Sequence, residues 1–168
     1  MDALTALSDN VVLAWGLLAC GVAQLSKLVL VLVTERQWRP AVLLETGGMP
    51  SSHAALVSGV AAGVGWQVGF DQPLFALACA LALVVMYDAS GVRRAAGLQA
   101  ERLNAYMTPA DPDRCSSLEP LNTNLGHTRR QVLVGSLLGI VVVLLGISRI
   151  GGVLDVLTRA AHLSFQAP

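Results

Sequence analysis

The sequence predicts an all-α protein, a polytopic transmembrane helical bundle with about four spans. Three observations predict it. Hydrophobic residues make up 54% of the 168 residues and charged residues only 13%, whereas soluble domains carry about 25% charged residues. The apolar residues gather into four runs separated by polar segments. These runs reach or approach the length that crosses about 30 Å of hydrocarbon. A lipid-embedded backbone must also satisfy its own polar groups, which leaves helices rather than open sheets.

The first run, Val11 to Val33, is interrupted only by Gln24, Ser26 and Lys27. The residues before it lack a basic region and a small-residue cleavage site, so a retained span is expected rather than a signal peptide. The second run, Ser52 to Phe70, is rich in Ala, Gly and Val. The third, Pro73 to Tyr87, is slightly short, and the fourth, Gln131 to Ser148, is the most hydrophobic. From Gly151 to Phe165, Leu154, Val156, Leu157 and Leu163 mix with Asp155 and Arg159. That pattern suits an interfacial helix, with a fifth crossing left open. The length fits one domain, so a single integral membrane domain over 1–168 is expected. Gly59 and Gly63, Gly65 and Gly69, and Gly135 and Gly139 are spaced one helical turn apart, which lets membrane helices approach closely.

Charge placement orients the chain. Formal net charge is zero, so no overall basic field attracts nucleic acid, and no nucleic-acid partner is expected. The connection from Thr34 to Ser51 holds Arg36 and Arg39, and the connection over 88–130 holds Arg93, Arg94, Arg102, Arg114, Arg129 and Arg130. The positive-inside rule places both on the cytoplasmic side of the cell membrane. Cys20, Cys79 and Cys115 form no CxxC pair or disulfide framework, and no Cys/His spacing or carboxylate cluster suggests a metal.

This topology gathers the unusual polar residues at one end of the bundle: Lys27, His53, Asp88, Arg93, Arg94 and His127. Ionisable groups inside a membrane bundle are candidate site residues. GGMPSSH, Gly47 to His53, reads as a shaped turn followed by a helix start capped by Ser51 or Ser52. The free N–H groups of a helix start favour phosphate, but a capped start with an incidental histidine explains the same residues. At His127 a loop again enters a span, and Thr128 with Gln131 has capping-box spacing. Gln131 either caps the helix alone or also hydrogen-bonds His127. Arg93 and Arg94, next to Asp88, suit either a bidentate phosphate clamp or a patch touching anionic headgroups.

Four segments carry a family resemblance. They are AQLSK (Ala23 to Lys27), GGMPSSHAALV (Gly47 to Val57), MYDASGVRRAAGLQAERLN (Met86 to Asn104) and LGHTRRQVLVGSLLG (Leu125 to Gly139). In this order they resemble the divergent branch of the type 2 phosphatidic acid phosphatase family, related to acid phosphatases and vanadium haloperoxidases. The resemblance implies that His127 is the phosphate-attacking nucleophile, that His53 is the acid protonating the leaving oxygen, and that Lys27 binds phosphate. The chain departs from the family pattern in several places. Eleven residues rather than six separate Lys27 from Arg39-Pro40, and Ser52 stands where the family has Gly. Leu121 stands where the family has an arginine six residues before the nucleophile, and Gln131 where it has an aspartate.

The function implied is an integral membrane phosphatase acting on a lipid phosphate or isoprenoid (di)phosphate through a phosphohistidine, without cofactor or metal. Lys27, Arg39, Arg93, Arg94, Gly48 and Ser52 would bind phosphate, and Asp88 and Gln131 would orient His127. The alternative is a non-catalytic lipid-phosphate binder, transport component or assembly partner of the same fold. Vanadate-dependent oxidation is a third reading, though nothing in the chain is specific for halide chemistry. The partner expected is a membrane lipid or lipid phosphate, with a homo-oligomer left open.

Overall fold

A computed structural model describes residues 9–43, 47–107 and 119–150. The tail from Gly151, expected at the interface or as a fifth crossing, lies outside the described residues, as do Arg114 and Cys115. Helix α1, Val11–Glu35, begins where Asn10 Oδ1 accepts the Leu13 N–H at 3.0 Å. It stops at Arg36, whose left-handed backbone (φ 54°) cannot continue the helix. A 3-10 turn, Pro40–Leu43, folds back onto α1, where Gln24 Nε2 donates to the Leu43 carbonyl at 2.8 Å.

Helix α2, Ser52–Val68, is capped by Ser51, whose Oγ accepts the Ala54 N–H at 3.3 Å. Gly69 (φ 109°) then turns the chain into α3, Pro73–Tyr87, with proline in the first turn. Proline suits that position because the first-turn N–H has no partner within the helix. Helix α5, Arg129–Arg149, opens with a complete capping box: Thr128 Oγ1 accepts from Gln131 N, and Gln131 Oε1 accepts from Thr128 N at 2.7 Å.

The segment after Tyr87 differs from the loop expected there. The α3 helix passes through a π-helical turn, Asp88–Val92, directly into α4, Arg93–Met107. Together they form a helix of 35 residues. RRAAGLQAERLNAYM is rich in strong helix formers. Hydropathy reports depth in the membrane and is blind to a polar helix that leaves it, which is why the sequence pattern ended at Tyr87.

The described residues thus form a helical membrane bundle. α1, α3 with its α4 extension, and α5 are each long and apolar enough to cross a membrane. α2, with 17 residues, is at the short end of the spanning range. It is also the central element, packing on α1, α3 and α5, while α1 packs on α5 as well.

Small residues make this packing close. A Cβ on Gly59 of α2 would sit 2.9 Å from the Gly139 carbonyl oxygen of α5. A Cβ on Gly139 would strike the Ala55 backbone, and one on Gly135 the Ser51 backbone. Gly63 fits against Val12 and Val143. The Trp15 ring lies on Gly146, and Trp15, Ala19 and Val143 form a buried cluster between α1 and α5. Gly65 and Gly69 serve a different purpose from helix pairing. Gly69 is the α2 terminus, and Gly65 makes room for the rings of Phe70 and Phe75.

Two glycine substitutions should therefore act in opposite directions. Gly139→Ala forces a methyl into the Ala55 backbone and should destabilise the fold by about 1–3 kcal/mol. Gly21 is helical with nothing near its hypothetical Cβ, so Gly21→Ala should be neutral or stabilising by up to about 1 kcal/mol. Unfolding in a denaturing detergent series measures both, and equal effects would contradict the α2–α5 contact.

Candidate functional site

The loop that carries His127 is laid along α4 by a series of specific contacts. At its far end Asn104 holds the Leu121 backbone at both groups: Nδ2 donates to the carbonyl at 2.8 Å, and Oδ1 accepts the N–H at 2.9 Å. Gly97 admits the Thr123 and Leu125 carbonyls, each 2.9 Å from where its Cβ would lie. Gly126, at φ 79°, rests on the backbone of Arg93 and Arg94 where no side chain would fit. The π-helical turn shifts the hydrogen-bond register of its helix, and here the Ala89 carbonyl accepts the His127 N–H at 2.9 Å. His127 is thereby fixed to α3–α4 on one side and, through the capping box, to α5 on the other.

The second histidine arrives on α2. Ser51 N–H donates to the Gln131 carbonyl at 3.2 Å, which joins the start of α2 to the start of α5. The connection before it is shaped by Gly48 at φ 87° and a cis Met49–Pro50 bond. His53, the second residue of α2, then faces the same cavity as His127.

That cavity, about 80 Å³, is lined by His53, Asp88, Arg93 and His127 with Val85, Ala89, Leu125 and Gly126. A single water needs only about 10–15 Å³, so a larger polar group fits. Arg93 Nε donates to Asp88 Oδ2 at 2.5 Å. The expected clamp and the expected orienting carboxylate are therefore paired with each other across the pocket wall.

His127 is 4% exposed, and its Nδ1 is buried with no hydrogen-bond partner among the described residues. Lys27, at 2% exposure, stands behind it, with its Cδ 3.7 Å from where a Cβ on Gly48 would be. Burial pushes the His127 imidazole below the usual 6.5, and the Lys27 charge pushes the same way. The Gln131 side chain and the Gly48 backbone oppose this, and His53 adds a further small lowering. The result is a buried imidazole favoured in its neutral form, with an unshared electron pair at neutral pH.

The other sequence candidates separate by position. Lys27, Gly48 and Gln131 surround His127 from behind the cavity, and Gln131 acts on the imidazole as well as capping α5. Ser52 is buried at the first position of α2, beside the cap residue Ser51. The Arg94 backbone supports Gly126 while its side chain is exposed, and Arg94 is not among the lining residues. Arg39 pairs with Glu35 at 3.7 Å on the exposed end of α1 and does not line the cavity either. Leu121, at the position of the family arginine, is exposed and held by Asn104.

Sequence reasoning missed the Ala89 carbonyl, Asn104, and the contacts of Gly97 and Gly126. It also missed Met86, whose Sδ accepts from Ser136 Oγ at 2.9 Å and from Ser58 Oγ at 3.7 Å, linking α2, α3 and α5 below the cavity. All of them fall inside the segments that carry the family resemblance, but no local pattern marks their roles, because each role is a contact between distant segments.

The chain is 34% identical over 136 residues to the "Uncharacterized membrane protein YuiD" of Bacillus subtilis (strain 168), an alignment covering 73% of this chain and 84% of that protein. No solved structure matches. The model of the Divergent PAP2 family matches residues 8–142, which takes in both histidines and every helix that lines the cavity. The chain belongs to the Divergent PAP2 family.

Proposed function

We propose that this protein is an integral membrane phosphatase that hydrolyses a lipid phosphate or isoprenoid (di)phosphate. The observation that carries the reading is the shared cavity of His53 and His127, in which the buried His127 is favoured neutral. A neutral imidazole is the nucleophilic form. His127 attacks phosphorus in line, a P–N bond forms and the P–O bond to the leaving group breaks. His53 gives its proton to the departing alkoxide. Water then attacks phosphorus, His53 takes the water proton, the P–N bond breaks, and phosphate leaves.

Arg93 is placed to meet the negative oxygens once it turns from Asp88, with Lys27 adding positive charge from behind. In this reading Gly48 and Ser52 shape the buried side of the site, and Arg94 and Arg39 add positive charge from the exposed surface. The arginine-bearing loops, and with them the site, face the cytoplasm.

A second reading, a non-catalytic lipid-phosphate binder, is favoured by one specific observation. The Gln131 amide is engaged in the capping box where the family has an aspartate, and Asp88 is held by Arg93. Among the described residues no carboxylate then orients His127 Nδ1.

Three measurements bear on these readings. With purified protein and a panel of lipid phosphates, His127→Ala should abolish turnover and phosphohistidine trapping. His53→Ala should slow turnover roughly a hundredfold, less for substrates with a good leaving group. Wild-type protein without turnover on any lipid phosphate would favour the binder, and turnover surviving His127→Ala would remove the proposed nucleophile.

The imidazole itself can be titrated by NMR. His127 should lose its proton below pH 6.5, and Lys27→Met should recover only part of the lowering because burial is the larger cause. A midpoint above 6.5 in wild type would contradict this. Stability should follow the same sign. The unfolded chain binds a proton below 6.5 that folded His127 resists, so this contribution is present above that pH and lost as pH falls through the folded value.

Topology can be mapped with a single cysteine at Arg102, which should react only from the cytoplasmic side. Labelling from outside would move the site across the membrane.

A further inference from the structure

The π-helical turn, Asp88–Val92, puts two opposite charges on one wall of the histidine cavity. In an α-helix, residues five apart point about 140° away from each other. In the π-turn the Arg93 N–H donates to the Asp88 carbonyl, so residues five apart fall on the same side. The Asp88 carboxylate and the Arg93 guanidinium therefore meet where both histidines also line the cavity. Among the described residues that line it, Asp88 alone carries a carboxylate.

The lining groups differ in depth. His127 lies at the floor, 4% exposed, with Nδ1 closed off from solvent. The Asp88 and Arg93 side chains are 37% and 61% exposed, and His53 is exposed as well, so these three ring the mouth. In-line attack by His127 puts the leaving oxygen on the far side of phosphorus, toward that mouth.

We propose that Asp88 is a positioning residue for His53: a bound phosphate draws Arg93 off Asp88, and the freed carboxylate accepts an N–H of His53 and turns the imidazole toward the leaving oxygen. The inference rests on the phosphatase reading given above. Arg93 meets Asp88 through Nε at an exposed mouth. An ion pair this exposed contributes little by itself, and a phosphate dianion is the stronger partner for a guanidinium.

The exchange leaves every charge paired. Before it, Arg93 holds Asp88. After it, Arg93 holds the phosphate and Asp88 holds the protonated imidazole of His53, the form that gives its proton to the leaving alkoxide. An unpaired Asp88 carboxylate would instead repel the phosphate at the same mouth. The carboxylate has no comparable route to His127, whose Nδ1 is shut off at the floor.

The test uses the purified full chain with vanadate as the binding probe and dodecyl phosphate as the substrate. Asp88→Asn removes the competitor for Arg93 and the partner of His53 with little change of shape. Vanadate should bind about threefold or more tighter, while turnover of dodecyl phosphate falls about tenfold, less than on losing the acid itself. Substrates with a good leaving group should escape most of that fall, and Asp88→Glu should restore part of it. In a His53→Ala background Asp88→Asn should cost no further turnover, because the two residues act as one unit. With histidine labelled in nitrogen-15, vanadate should move the His53 ring signals in wild type and leave them in place in Asp88→Asn.

Asp88→Asn that weakens vanadate binding and turnover together would overturn the proposal in favour of a merely structural ion pair. So would a loss of turnover that adds in full to that of His53→Ala, or His53 signals that vanadate moves equally with and without the carboxylate. In each case turnover that depends on His127 would show that the phosphatase reading still stands. Wild-type protein that neither binds vanadate nor turns over dodecyl phosphate would overturn both together.

Discussion

The backbone contact between α2 and α5 is the constraint on which the rest of the structure depends. Gly59 meets the Gly139 carbonyl, Gly139 meets Ala55, and Gly135 meets Ser51. At Gly135 and Gly139 backbone meets backbone, and at Gly59 the Val143 side chain also packs against the glycine. In a bilayer, where lipid is as apolar as any helix surface, association relies on close packing. The same contact fixes the helices lengthwise, because Ser51 N–H reaches the Gln131 carbonyl. Both helices therefore start at one level, with His53 just inside α2 and His127 just outside α5.

The cavity is completed from the third direction by a helix that does not stop at the end of its apolar run. The π-helical turn at Asp88–Val92 carries Asp88, Ala89 and Arg93 onto the cavity wall, and the Ala89 carbonyl takes the His127 N–H. The strap from Leu121 to Gly126, fastened by Asn104 and two glycines, brings His127 to that carbonyl. Packing, loop geometry and charge all act on one imidazole: burial and the Lys27 charge favour its neutral form although the Gln131 side chain opposes them.

The departures from the mainstream phosphatase pattern have structural counterparts. Leu121 belongs to the strap and is exposed, so an arginine there would start from the strap rather than from the cavity wall. Gln131 contributes to the α5 cap with the same side chain that acts on His127. Arg93 and Asp88 place a guanidinium and a carboxylate in the cavity from another segment, but bound to one another. A dianionic ligand would compete with Asp88 for Arg93, so the charge balance of the site depends on which partner Arg93 holds.

By itself the sequence determined the helical membrane class, because apolar content and run length are properties of composition that any arrangement must bury in lipid. It also marked the caps at Ser51 and Thr128, since capping is decided within one turn of chain. The two histidines were legible as candidates from their motifs. Tertiary structure decided the remainder. The continuation of α3 into α4 escaped a hydropathy reading because the helix turns polar at Asp88 while its backbone hydrogen bonding continues. The pairing of Arg93 with Asp88, the outward placement of Arg94 and Arg39, and the hold of Asn104 on Leu121 depend on how separate segments meet. A local pattern carries no information on such meetings, because the groups that satisfy one another are separated in sequence and brought together only by the packing of the helices.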